Sequence, residues 1–304
     1  MLGPTGDQYA ISAGGYDAVV TQSGGALRQL SHDGRPLIAG FAEDALPDAC
    51  RGQLLMPWPN RIRDGRYTFA GTEQQLPLTE PSRANASHGL VRWATWAVEE
   101  HTSHSVSLTC RVMAQSGYPW TLDLEIVYDL SADGLTVTQS ATNLAATAAP
   151  YATGAHPYLC VGDGLVDDLE LTFPGALRHL TDPERLLPTG TEAVDGTAYD
   201  FRVARPLRGT ELNHTFSELV RDDAGVATTE LRDPRTGQGV TLWVDAQHHC
   251  LLLYTADDRP GIARRAIAVE PMSAPPDAFN SGLHLTTLSP GEQHTASWGI
   301  RASD

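Results

Sequence analysis

The segment TLDLEIVYDL, residues 121–130, constrains the fold of this chain more than any other. Leu122, Leu124, Ile126 and Tyr128 alternate with Asp123, Glu125 and Asp129, and Val127 is the one interruption of the polar side. A period of two places the apolar set on one face of an extended strand. A strand with one wet face belongs to an antiparallel sheet rather than a parallel one. The following LSADG turns the chain into GLTVTQSATNL, residues 134–144, which predicts a hairpin.

The same signature recurs in SVSLTCRVM (105–113), LELTF (169–173), GVTLWV (239–244), CLLLYTA (250–256) and SGLHLTTLSPGEQHTASWGI (281–300). Turn-forming stretches such as HDG, GDG, DPRTG and SPGE separate them. RYTFAGTEQQLPL reads as another hairpin turning at Ala70-Gly71, and the preceding NRIRDG as irregular backbone holding Arg61. No long stretch has the period of a helix; PPDAFN, residues 275–280, has room for a single turn. Glycine and proline are scattered without marking a linker. The expectation is an all-β sandwich forming one domain over residues 1–304.

Composition narrows the chemistry. All 21 basic residues are arginine, so Schiff-base lysines, pyridoxal-phosphate anchors and P-loop lysines are excluded. A formal charge of -16 argues against nucleic acid and anionic membranes as partners. No apolar run approaches the roughly 18 residues of a membrane span. The N-terminal stretch lacks a basic region followed by an apolar one, so a cytoplasmic protein is expected. Cys50, Cys110, Cys160 and Cys250 form no C-x-x-C and are expected to be buried reduced thiols. The adjacent His248 and His249 would point to opposite faces of a strand, which makes them poor joint metal ligands.

Four residues carry acid–base or hydrogen-bonding promise. Arg61 can donate a forked pair of bonds to substrate hydroxyls or hold loop carbonyls. His88 lies in NASHG, and His156 in GAHPY, where Pro157 favours extended backbone. Either is by default an ordinary structural histidine. Glu270 closes the apolar run AIAV, where burial would raise its pKa unless Arg264 or Arg265 pairs with it. Trp58, Trp93, Tyr158 and Phe279 lie near these motifs and could stack on a ligand or pack in the core.

These motifs resemble the aldose 1-epimerase (galactose mutarotase) family. NRI-x-x-G-x-Y-x-F-x-G, LP-x-x-E and NA-x-HG match over residues 60–89, and GAHPY and VEP follow at similar spacing. The resemblance spans essentially the whole chain and implies a β-supersandwich of many antiparallel strands. It further implies Glu270 as general base, His156 as general acid, and His88 as a sugar ligand that helps polarise the ring oxygen. Asn60 and Arg61 would bind hydroxyls. The implied substrate is a free hexose, the implied catalyst a monomer or homodimer, and neither metal nor organic cofactor is implied. Two features depart from that pattern. In ELNHTF, Asn213 stands where the family usually has aspartate. Arg51 in CRG and Arg92 in HGLVR resemble the hexose-6-phosphate 1-epimerase branch, where arginines clamp a phosphate. A hexose-6-phosphate epimerase and a non-catalytic sugar-binding protein are therefore the alternatives.

Overall fold

A computed structural model describes residues 2–303. It is all-β, as the alternating segments predict. A nine-stranded antiparallel sheet runs in the order Arg205–Pro206, Glu170–Thr172, Ala227–Arg232, Gly239–Val244, Gln293–Ser303, Gly134–Asn143, Leu122–Ser131, Ser105–Val112 and Ala97–His101. A six-stranded sheet runs Tyr158–Leu159, Ile267–Met272, Cys250–Tyr254, Asn213–Leu219, Gly175–Thr181 and Pro188–Ala193. A four-stranded meander, Gln8–Ala13 to Arg35–Pro36, accompanies them.

The hairpin expected around LSADG pairs Ser131 with Gly134, and the one at Ala70-Gly71 pairs Phe69 with Thr72. In the first, Leu122, Leu124, Ile126 and Tyr128 are all buried while Glu125 and Asp129 face solvent. The single helical turn is Ala278–Ser281, ended by Gly282 in the left-handed region. The 281–300 segment divides into Thr286–Leu288 and the start of Gln293–Ser303, because Ser289–Glu292 turns between them. NRIRDG departs from expectation. Arg61–Arg63 is a strand paired with Asn85–Ser87, so Arg61 is fixed by backbone pairing opposite Ser87. Among the described residues, no helix is long and apolar enough to cross a membrane.

The six-stranded sheet separates two environments. Leu251, Leu253, Ile267 and Val269 point from one face into a large apolar cluster that draws residues from Tyr9 to Ile300. Their neighbours point the other way. Glu270 pairs with Leu252, Ala268 with both Tyr158 and Tyr254, and Asn213 with Tyr254. Directly paired residues share a face, so one face of this sheet carries Tyr158, Glu270, Leu252, Tyr254 and Asn213. Leu253→Ala would open a cavity directly beneath that face. It should cost about 2–5 kcal/mol, read as a lowered midpoint in denaturant unfolding.

Candidate active site

The polar-bearing face of the six-stranded sheet is the floor of a cleft of about 240 Å³. That lies below the roughly 300–1,000 Å³ of drug-sized sites, and suits a ligand about as large as one sugar ring. Asn60, Arg61, His88, Arg92, His156, Asn213 and Glu270 all line it. The fold thus gathers seven of the eight residues picked out from sequence. Arg51 is the exception. Its guanidinium donates to Gly40 O at 2.8 Å and pairs with Asp48, outside the cleft, because the turn at Cys50–Gly52 directs it away.

Glu270 is 2% exposed and His156 5%. His156 Nε2 lies 3.1 Å from Glu270 Oε1. Of the two competing partners considered for Glu270, Arg264 binds Asp167 and Asp257, and among the described residues Arg265 forms no ion pair with it. Burial therefore dominates both groups. It raises the Glu270 carboxyl to about 8, against a smaller opposing pull from Arg61. It lowers His156 to about 3, and the positive charges of Arg92 and Arg259 push the same way. Desolvation penalises the charged form of each. Burial thus favours the neutral form of each group, a protonated carboxyl and an unprotonated imidazole.

His156 is held by its backbone and its neighbour. Its N–H donates to Gln53 O and its carbonyl accepts from Gly52 N–H, both at 3.0 Å. Tyr158 stacks on its ring at 5.1 Å and 13°, and anchors itself by donating to Ala49 O.

His88 and Asn60 form a reciprocal clasp. His88 N–H donates to Asn60 O at 2.8 Å, and Asn60 N–H donates to His88 Nδ1 at 3.2 Å. Both residues have positive φ, 60° and 54°. Because Nδ1 accepts a bond, neutral His88 carries its proton on Nε2. Burial and the neighbouring His156, Arg92 and Arg61 charges push its pKa well down, so it stays neutral. Gly89 follows at φ +70°, where a Cβ would lie 2.0 Å from Met56 O. The glycine of the NA-x-HG motif is a steric necessity at this crossing.

Arg61 does not hold loop carbonyls; its fork closes on a carboxylate. Nε and Nη2 donate to the two oxygens of Glu80 at 2.7 and 3.0 Å, and the side chain borders the cleft. Burial would raise Glu80, but the Arg61 bonds and charge outweigh it and hold the carboxylate below its usual range. Glu80 is the glutamate of LP-x-x-E, so its motif was visible while its partner was not. Arg83, Tyr254, Asp258 and Arg259 also line the cleft and carried no sequence signal. Cys50 corrects an expectation: the other three cysteines are buried, but Cys50 is only half-buried, lines the cleft and accepts from Arg92 Nη1 at 3.1 Å. Of the four aromatic residues near the motifs, Tyr158 lines the cleft, Trp58 and Phe279 pack together in the core, and Trp93 is exposed.

Donor atoms of Cys50, His88 and His156 converge within 4.8 Å, the spacing of a possible metal cradle. The His88 tautomer weakens it, since a nitrogen bearing a proton offers no lone pair. What the cleft can do is hold a small polar molecule and pass a proton at two points on it.

Comparisons with known proteins agree with this layout. A family model described as Aldose 1-epimerase matches residues 7–301. The uncharacterized protein YihR of Escherichia coli K12 is 35% identical over 297 residues, covering 97% of this chain and 93% of its own. Galactose mutarotase of Mus musculus is 30% identical over 148 residues, 47% of this chain and 42% of that protein. The crystal structure of a GalM/aldose epimerase homologue from C. elegans superposes with a TM-score of 0.86 at 20% identity, covering 98% of both chains. The galactose mutarotase-like β-fold is thereby shown. Infrared spectroscopy checks the raised carboxyl: a protonated-carboxyl stretch should persist at pH 7, disappear as pH rises through about 8, and be absent in Glu270→Gln.

Proposed function

The chain belongs to the aldose 1-epimerase family, and on that footing we propose that it interconverts the α and β anomers of a hexose by opening and reclosing the ring. The observation that carries this reading is the buried Glu270–His156 contact of 3.1 Å on the floor of a polar cleft. Glu270 takes the proton of the anomeric hydroxyl. His156 gives a proton to the ring oxygen, and the C1–O bond breaks to leave the open aldehyde. Rotation about C1–C2 and reclosure on the other face reverse both transfers. The pair holds one proton before and after each half-reaction, so no other proton source is required.

A histidine in water titrates at about 6.5. The dry floor changes the starting point. Burial favours the neutral form of both groups, whereas ring opening needs Glu270 as the carboxylate and His156 protonated. A sugar hydroxyl donating to the carboxylate lowers the cost of that charged arrangement. His88 Nε2–H then donates to the ring oxygen or an adjacent hydroxyl. Asn60, Arg61 and Asn213 orient the remaining hydroxyls. Asn213 occupies the floor beside Tyr254 and offers both a donor and an acceptor, so its lack of charge alters sugar preference before it alters the proton chemistry.

Polarimetry on freshly dissolved α-D-glucose and α-D-galactose tests the reading. The protein should accelerate mutarotation, and Glu270→Gln should slow it by about 10²–10⁴-fold. Calorimetric sugar binding without any acceleration would instead identify a non-catalytic sugar-binding protein.

A second reading, a hexose carrying an anionic group such as a 6-phosphate, is favoured by two guanidinium groups. Arg92 and Arg259 both line the cleft, and among the described residues neither forms an ion pair. Arg51, one of the two arginines first suggested for this task, lies outside. On this reading Arg92→Ala or Arg259→Ala should lower kcat/KM for hexose 6-phosphate about tenfold or more while sparing the free hexose. Equal kinetics with and without phosphate would remove it.

A further inference from the structure

One buried charge lies outside the cleft and has no partner in the chain. Arg28 belongs to the strand Leu27–His32 of the four-stranded meander. The register against the strand Tyr16–Thr21 slips there: Val20 faces Leu27 and Val19 faces Gln29, which leaves Arg28 as the extra residue of a β-bulge. Bulges re-aim a side chain. This one keeps Leu27 and Leu30 in the large apolar cluster while Arg28 lines a separate pocket. Arg28 is 9% exposed, and arginine is rarely so buried unless it is paired. Among the described residues its guanidinium nevertheless meets no carboxylate, carbonyl or aromatic ring, and its Nε is sealed from solvent with no acceptor.

The pocket around Arg28 encloses about 420 Å³, within the range of small-molecule sites. It shares no residue with the sugar cleft. Val19, Pro36, Ile38 and Phe41 give it an apolar wall. Phe41 is buried yet joins none of the apolar clusters of the core. The segment carrying the wall is held at several points. Leu37 N–H donates to Leu30 O at 2.9 Å, Ala39 N–H to Tyr158 O at 2.8 Å, and Arg51 Nη1 to Gly40 O at 2.8 Å. A Cβ on Gly40 would lie 2.3 Å from Arg28 O, so the segment packs directly on the bulge. Arg51, drawn away from the cleft, is a strut of this pocket.

We propose that this pocket binds a small monocarboxylate with an apolar body, its carboxylate held by Arg28 and its body against the apolar wall. An uncompensated buried charge is destabilising, and a guanidinium is best satisfied by a planar anion with two oxygens. The wall gives an apolar body surface to bury against, which an inorganic ion cannot use. Asp17 also lines the pocket, where it accepts from the Ser12 hydroxyl at 2.6 Å. Its carboxylate and the formal charge of -16 favour a ligand with one negative charge over a dianion. The site does not depend on the sugar reading of the cleft.

Calorimetric titration of benzoate into the intact protein tests this, with neutral benzamide and inorganic phosphate as contrasting probes. Benzoate should bind saturably, about tenfold or more tighter than either. Arg28→Met keeps the aliphatic stem and removes the charge, so it should fold and weaken benzoate by about tenfold or more. Benzoate should raise the thermal midpoint of the unaltered protein and leave that of Arg28→Met unmoved. Arg92→Ala should bind benzoate as the unaltered protein does, which separates this pocket from the guanidinium groups of the cleft. The proposal is overturned by no benzoate binding, by unchanged affinity in Arg28→Met, by loss of binding in Arg92→Ala, or by phosphate or benzamide binding as tightly as benzoate. Should Arg28→Met fail to fold, Arg28→Lys keeps the charge without the fork. It should weaken benzoate several-fold, and unchanged affinity there overturns the proposal equally.

Discussion

The burial of one ionisable pair sets the terms for the rest of the site. Glu270 and His156 sit on a sheet floor from which water is almost excluded, and their charged forms lose hydration that nothing else fully restores. The carboxyl is consequently pushed up and the imidazole down. They face each other across a 3.1 Å contact. That arrangement depends on the reverse face of the same strands. Val269 and Ile267 are locked in the apolar cluster, so alternation along Ile267–Met272 leaves Glu270 no other direction. The chemistry is a by-product of a period of two.

Opposite the floor, the segment between Pro57 and Gly89 works by different means. Its residues are held by close backbone crossings and left-handed conformations at Asn60 and His88, not by a sheet ladder alone. The Asn60 N–H bond to His88 settles a tautomer, and the Glu80 fork fixes Arg61. Each device leaves a chosen donor facing the cleft. Rigid floor and clasped arm together provide the preorganisation that the proposed ring opening would require, since donors must be in place before charge develops. The turn at Leu186 joins the two by tying the far edge of the floor sheet to the arm.

Strand identity was legible because it depends on local pattern. Leu122 to Tyr128 and the hairpins at LSADG and Ala70-Gly71 follow from alternation and turn residues. Arg61 was misplaced in irregular backbone because its pairing partner, Ser87, lies 26 residues away and leaves no local mark. The motif residues of the site were likewise legible through NRI, NA-x-HG, GAHPY and VEP, which draw attention to Asn60, Arg61, His88, His156 and Glu270. Cys50, Arg83, Leu186, Tyr254 and Arg259 were not, since each enters the cleft from a loop or strand with no distinctive neighbours.

The amino-acid sequence by itself determined the β architecture, the absence of lysine chemistry and the inventory of proton-transfer groups. These follow from residue type and short-range period. Only the tertiary structure decided how those groups are used. It placed Glu270 against His156 rather than Arg264, drew Arg51 away while admitting Arg92 and Arg259, and raised the pKa of the Glu270 carboxyl by burial. The physical reason is that pKa, ion pairing and cleft membership depend on distance and dehydration. Those are properties of residues brought together from across the chain, and no local pattern encodes them.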